Sequence, residues 1–154
     1  MTSITTVSKE VEFDTGHRVP DHGSKCRNPH GHRYRVRATC SGPLVAEAGA
    51  PDNGMIVDFS DLKLWLTVAI HDVLDHGFVV YEHDTAMRVA LEAGDPDWRV
   101  IVVPFIPTAE NMSAWCWRQL APLVGEHWRG SLALELIEVW ETPTSIATYR
   151  EVGP

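Results

Sequence analysis

Between Phe13 and Tyr34 the chain concentrates side chains that can bind a metal or move a proton. Four of its eight histidines fall there, His17, His22, His30 and His32, together with Cys26, one of three cysteines. His30 and His32 flank Gly31. On a strand, alternate side chains share a face, so a His-x-His pair presents both imidazoles in one direction. His17 can supply a third nitrogen. Three protein ligands and one open position is the arrangement of catalytic zinc, a Lewis acid. The competing reading is a set of loop histidines paired with carboxylates, or a basic loop that contacts phosphate. The spacing, with Cys26 and a Gly/Pro-rich loop between the ligands, favours the metal. Cys26 admits two roles: a fourth zinc ligand, or a thiolate base or nucleophile favoured by Lys25, Arg27 and a nearby metal. Cys40 and Cys116 fall on apolar faces and read as inert.

Three acidic positions farther on have types suited to the same chemistry. Asp75-His76 is a carboxylate beside an imidazole, the usual pairing for general acid–base work. It reads equally well as a helix C-terminus where a protonated histidine is favoured by the dipole. His71 and Asp72 read as helix surface. Glu110 lies in the first turn of a second helix, where a negative charge is favourable in any case. Glu141 ends an apolar strand and is either a rim residue or a ligand anchor.

The elements that must position these groups follow from periodicity. Residues 4–13 and 32–42 alternate and predict strands, with an irregular loop over 14–31 punctuated by Gly16, Pro20, Gly23, Pro29 and Gly31. Antiparallel pairing of the two strands would bring His17 to His30 and His32. Residues 43–57 are turn-rich. Asp58 is a plausible N-cap for a helix running to about residue 74, with Gly77 as its C′ residue. A short helix is expected over 84–93 and an extended apolar segment over 100–105. Thr108 caps a second long helix. Strands over 132–140 and 146–152 complete a ββααββ order. The expected class is α+β: a four-stranded antiparallel sheet with two helices on one face. Its bare face and edges predict oligomerisation.

The 154 residues are expected to form one domain, 1–154, with 44% apolar and 22% charged side chains, ordinary for a soluble globular protein. A net charge of −8 argues against a general nucleic-acid binder. Three widely spaced cysteines without a CxxC pair fit a reducing compartment, so a cytoplasmic location is expected, and no apolar run reaches the ~20 residues of a membrane span.

Taken jointly, Phe13-x-x-x-His17, Cys26-x-x-x-His30-Gly31-His32-x-Tyr34, Gly54-Met55-x-Val57-Asp58-Phe59-x-x-Leu62, Leu74-Asp75-His76, Pro107-Thr108-x-Glu110-Asn111, Glu141-Thr142-Pro143 and Ala147-x-Tyr149 resemble the 6-pyruvoyltetrahydropterin synthase superfamily. Within it they are most similar to the bacterial 6-carboxytetrahydropterin synthases of queuosine biosynthesis. The resemblance implies a tunnelling fold assembled as a homo-oligomer, commonly a trimer stacked into a hexamer. His17, His30 and His32 would be the Zn2+ ligands and Cys26 the catalytic thiol. Asp75 and His76 would be an acid/base dyad contributed across a subunit interface. Glu141 would grip the pterin, with Glu110 a second acidic position at the site. The implied substrate is 7,8-dihydroneopterin triphosphate. The chain departs from the usual pattern at Gly16, where the family often has Ala, and at Gly77-Phe78-Val79-Val80, where it often reads x-x-Leu-Asn.

Overall fold

A computed structural model describes residues 4–152. Two long strands open the chain, β1 (Thr6–His17) and β2 (His30–Ser41), paired antiparallel over their whole length. Both run farther into the expected 14–31 loop than periodicity indicated, so His17 and His30 join His32 on strands rather than lying in the loop. The register places His17 opposite His30, Gly16 opposite Gly31 and Thr15 opposite His32. Alternation then sorts the faces. Val11, Phe13, Thr15 and His17 of β1 point the same way as Tyr34, Val36, Ala38 and Cys40 of β2, into the core.

Helix α1 covers 59–74 and α3 covers Ala109–Gly125. Asp58 caps the first by accepting from Ser60 N at 2.7 Å, and the Thr108 hydroxyl caps the second by accepting from Asn111 N at 3.3 Å. Leu62, Leu66, Ile70 and Leu74 of α1 are fully buried, as are Cys116 and Leu120 of α3. Each fully buried aliphatic side chain contributes about 1.5–3 kcal/mol of transfer free energy, so the two helices hold the sheet by one shared core. Burial pushes the Cys40 thiol up to about 12 and raises Cys116 as well, which fits their inert reading. Between Leu66 and Asp72, α1 widens into a π-helical turn, Thr67–His71.

The sheet has six strands, not the expected four, and it is mixed. Its order is β4-β3-β1-β2-β5-β6, with β3 (Gly77–Tyr81), β4 (Val100–Val103), β5 (Ala133–Thr142) and β6 (Ser145–Tyr149). The four antiparallel strands are present as β1, β2, β5 and β6, while β3 and β4 extend the sheet in parallel on the β1 side. A five-residue strand such as β3 has no alternation to betray it. Gly77 opens β3 instead of terminating the helix as a C′ residue. The left-handed residue is His76 at φ 55°. A Cβ on Gly77 would sit 2.2 Å from Ile101 Cδ1 and 3.1 Å from Leu74 O, so any larger residue there would push the Ile101 side chain aside. A short helix α2 (Thr85–Glu92) crosses from β3 to β4, capped by Asp84, which accepts from Met87 N at 3.2 Å.

The second face of the sheet is charged. Glu10 and Asp14 of β1 pair with Arg37 and Arg33 of β2 at 3.1 and 2.8 Å, and Arg35 and Arg37 both lie over the Trp140 ring, at 4.2 and 4.7 Å.

Candidate metal site

At the end of the β1–β2 ribbon the three predicted histidines converge. His17, His30 and His32 each offer one ring nitrogen, and these nitrogens all lie within 4.8 Å of one another. Strand register produces this cluster. His17 sits directly across from His30, and His32 is one step on, on the same face. The glycines at 16 and 31 permit the approach. A Cβ on Gly31 would stand 2.9 Å from Thr15 O and 3.4 Å from Gly16 Cα.

The hydrogen bonds around the rings leave ligand nitrogens free. His17 Nδ1 lies 2.6 Å from Pro107 O, and His30 Nδ1 lies 2.7 Å from Asn28 O. A carbonyl can only accept, so in both rings Nδ1 carries the hydrogen, which leaves Nε2 as the atom by which the neutral ring could ligate a metal. His32 Nε2 is buried and has no hydrogen-bond partner at all. A cation would satisfy that orphaned atom, so the residues present fit a zinc ion. Burial, more than the neighbouring imidazoles, holds His17 and His32 below the ordinary histidine range, so both rings are neutral at physiological pH. Among the described residues the cluster comprises these three side chains and does not include Cys26.

Around the cluster sit groups that sequence reasoning named and some that it did not. Glu141 Oε1 lies 3.5 Å from His17 Nε2 and 3.9 Å from His32 Nε2. Tyr34, fully buried beneath the rings, donates its hydroxyl to Glu141 Oε1 at 3.3 Å and lies 3.2 Å from His17 Nε2. Burial, reinforced by the Glu141 charge, raises the Tyr34 phenol far above its usual value, so it stays a donor. Tyr34 was legible in the sequence only as a motif position; its parity with His32, two residues earlier, was the available signal. Cys26 sits half-buried in a 3-10 turn (Lys25–Arg27).

Asp75 and His76 form the expected pair, with His76 Nδ1 2.8 Å from Asp75 Oδ2. Both are tied to β1. Asp14 N donates to Asp75 Oδ1 at 3.1 Å, and His76 N donates to Asp14 O at 2.7 Å. The bond to His76 holds the Asp75 carboxyl below its ordinary value. Thr15 Oγ1 donates to Gly77 O at 2.9 Å and locks the same corner. The dyad is thus mounted on the strand that carries His17, although no hydrogen bond among the described residues joins it to the three imidazoles. Two hollows meet at His32. One, of about 310 Å³, is lined by Arg35, Trp140, Glu141 and Thr142; the other, of about 490 Å³, opens toward Asp14 and His76. His71, read as surface, is half-buried; it meets Phe13 edge-on at 6.4 Å and its Nδ1 lies 2.9 Å from Asp72 Oδ1. Glu110 is exposed in the first turn of α3, three residues after the carbonyl that fixes His17. It makes no contact with the three rings that the geometry records among the described residues.

Comparison with known proteins points one way. A family model described as 6-pyruvoyl tetrahydropterin synthase matches residues 6–152. The 6-carboxy-5,6,7,8-tetrahydropterin synthase of Haemophilus influenzae is 34% identical over 146 residues, covering 94% of this chain and 98% of that protein. The protein of the same name from Synechocystis is 32% identical over 143 residues, covering 93% and 91%. Among solved structures, an uncharacterised protein from Wolinella succinogenes superposes with a TM-score of 0.79 at 23% identity, covering 98% of this chain and 100% of that one. The 6-pyruvoyl tetrahydropterin synthase of Caenorhabditis elegans superposes with a TM-score of 0.65 at 21% identity, covering 97% of both chains. At these identities the two structures speak for the fold.

Proposed function

The chain belongs to the 6-pyruvoyl tetrahydropterin synthase family, and from that premise we propose that it is a zinc-dependent 6-carboxytetrahydropterin synthase. It would convert 7,8-dihydroneopterin triphosphate and water to 6-carboxy-5,6,7,8-tetrahydropterin, acetaldehyde and triphosphate. The observation that carries this reading is the three-imidazole cluster with its free Nε2 atoms and buried, unpartnered His32 nitrogen. The names of the curated relatives favour the carboxy product over the pyruvoyl one. We propose the whole of 1–154 as one such domain, working in the cytoplasm.

His17, His30 and His32 would hold the ion. When bound, it supplies a Lewis acid that polarises the substrate's side-chain hydroxyls and the adjacent C–H. Cys26 as thiolate takes a proton from the side-chain carbon on one face. The Asp75–His76 pair moves protons on the other, with Asp75 orienting the ring. Glu141 accepts from the pterin amidine N–H groups in a charge-assisted, bidentate contact. Its oxygen stands close to the ligand nitrogens, so pterin and side chain would be held at the distance the proton transfers need. Tyr34 holds that carboxylate in place. Glu110 would lie at the rim, and Lys25 and Arg27 are the basic groups proposed for the triphosphate. Elimination of triphosphate precedes cleavage of the side chain. The bare sheet edges and the charged sheet face fit a homo-oligomer, as a trimer or hexamer, with the dyad of one subunit serving the cluster of another.

Purified, zinc-loaded protein incubated with dihydroneopterin triphosphate should release acetaldehyde and triphosphate together. Triphosphate without acetaldehyde would sink the carboxy reading and leave 6-pyruvoyltetrahydropterin as product. Loss of turnover with zinc retained in Cys26→Ala would separate a catalytic thiol from a structural one.

A further inference from the structure

Arg18 follows the metal ligand His17 and precedes Val19, whose N–H donates to Cys26 O at 2.8 Å. Its guanidinium forks onto Asp84, with Nε donating to Oδ2 at 2.6 Å and Nη2 to Oδ1. A fork that occupies both carboxylate oxygens fixes position and angle together. The carboxylate is itself immobile. Asp84 is 5% exposed, its N–H donates to Tyr81 O at 2.9 Å, and its side chain caps α2 through Met87 N. From this anchored joint, Arg18 Nη1 reaches Arg27 O at 3.5 Å, the long limit of a hydrogen bond. The turn carrying Cys26 is therefore attached at two successive carbonyls, Cys26 O and Arg27 O, and both attachments run through residues 18 and 19. Neither Arg18 nor Asp84 is among the groups assigned to the metal, the dyad or the pterin.

We propose that the Arg18–Asp84 pair is a positioning device for Cys26: it fastens the Lys25–Arg27 turn to the N-terminus of α2 and so sets where the thiol stands relative to the metal cluster. A proton-transfer group displaced by about 1 Å loses rate by tens- to hundred-fold, while substrate held by other groups binds nearly as before. The proposal rests on the reading of Cys26 as the catalytic base.

The test uses zinc-loaded full-length protein. Asp84→Asn keeps a capping oxygen and loses the charge; Arg18→Gln loses the fork. Each should lower kcat at least tenfold, leave KM within about threefold, and retain stoichiometric zinc. Labelling of Cys26 by a neutral aromatic disulfide should accelerate at least fivefold in both, since Cys40 and Cys116 are fully buried and will not compete. Arg129→Gln breaks an equally formed Arg–Asp fork, to Asp52 at 2.6 Å, far along the chain. It should change neither readout. Unchanged labelling and unchanged kcat in the two test variants would overturn the proposal, and so would loss of zinc, which would assign the pair to His17 instead. If the parent turned over no pterin, the functional reading would fall while the labelling result still judged the joint.

Discussion

Replacing Gly31 by alanine should dismantle the metal cluster without touching a ligand. The new Cβ would lie 2.9 Å from Thr15 O and 3.4 Å from Gly16 Cα. Both are backbone atoms of the paired strand, so no side chain can swing aside. To bring the oxygen to an ordinary contact of about 3.4 Å, β1 and β2 must separate locally by about 0.5 Å. That separation falls between the His17–His30 pair and His32. Metal–nitrogen distances tolerate about 0.2 Å. Zinc affinity should drop about 10- to 100-fold, or about 1.4–2.7 kcal/mol. The overpacking itself should cost about 1–3 kcal/mol, a fall of several degrees in Tm for a chain this long. The assay is zinc titration of apo protein against a chromophoric chelator, with thermal melts of the apo form alongside. Gly23→Ala, where a Cβ meets nothing within 4 Å, is the control. If Gly31→Ala bound zinc within twofold of the parent, strand spacing would not be what assembles the site.

Tyr34→Phe removes the hydroxyl that donates to Glu141 and leaves that carboxylate a bond short; KM for the pterin should rise several-fold with zinc content unchanged, and an unaltered KM would remove Tyr34 from the site. Asp84 has its carboxyl held below the ordinary range, chiefly by the bond from Arg18. A depressed folded pKa contributes stability above the unfolded value of about 3.9 that is lost as pH falls through the folded value. The difference in Tm between parent and Asp84→Asn should therefore be full at pH 7 and shrink below about pH 4; a gap independent of pH would refute the ionic account. Arg129 ties the 43–57 loop down through Asp52 and Glu47, at 2.6 and 2.9 Å. Arg129→Ala should make that loop the first site of limited proteolysis, with catalysis little changed.

The convergence of the three histidines was legible because it depends on short-range rules. Alternation placed His30 and His32 on one face, and antiparallel pairing of the two strands would bring His17 to them. Helix caps at Asp58 and Thr108 were legible for the same reason. What escaped was fixed across long stretches of chain. The dyad is oriented by backbone bonds between Asp14 and residues 75–76, about sixty positions apart, and nothing local to Leu74-Asp75-His76 announces them. The same holds for Arg18 and Asp84, sixty-six apart. Strand β3 hid because a short parallel strand flanked by partners on both sides carries no period-two signal, and its opening glycine imitated a helix stop. Glu110 was marked by motif alone, and its exposed place in the first turn of α3 gives it no contact that composition could have foretold.

The π-turn in α1 settles a problem of angular phase. The four fully buried residues of that helix, Leu62, Leu66, Ile70 and Leu74, are spaced by four. At 3.6 residues per turn each such step overshoots by about 40°, so three steps would carry Leu74 about 120° around the axis and out of the core. The wider turn at Thr67–His71 takes up that excess, and the stripe stays straight. Because Asp75 and His76 follow directly on Leu74, the same local unwinding sets the heading from which the chain leaves the helix. One residue of helical slack thus fixes the direction in which the Asp75–His76 pair leaves the helix, with Asp75 N still bonded to His71 O at 2.8 Å.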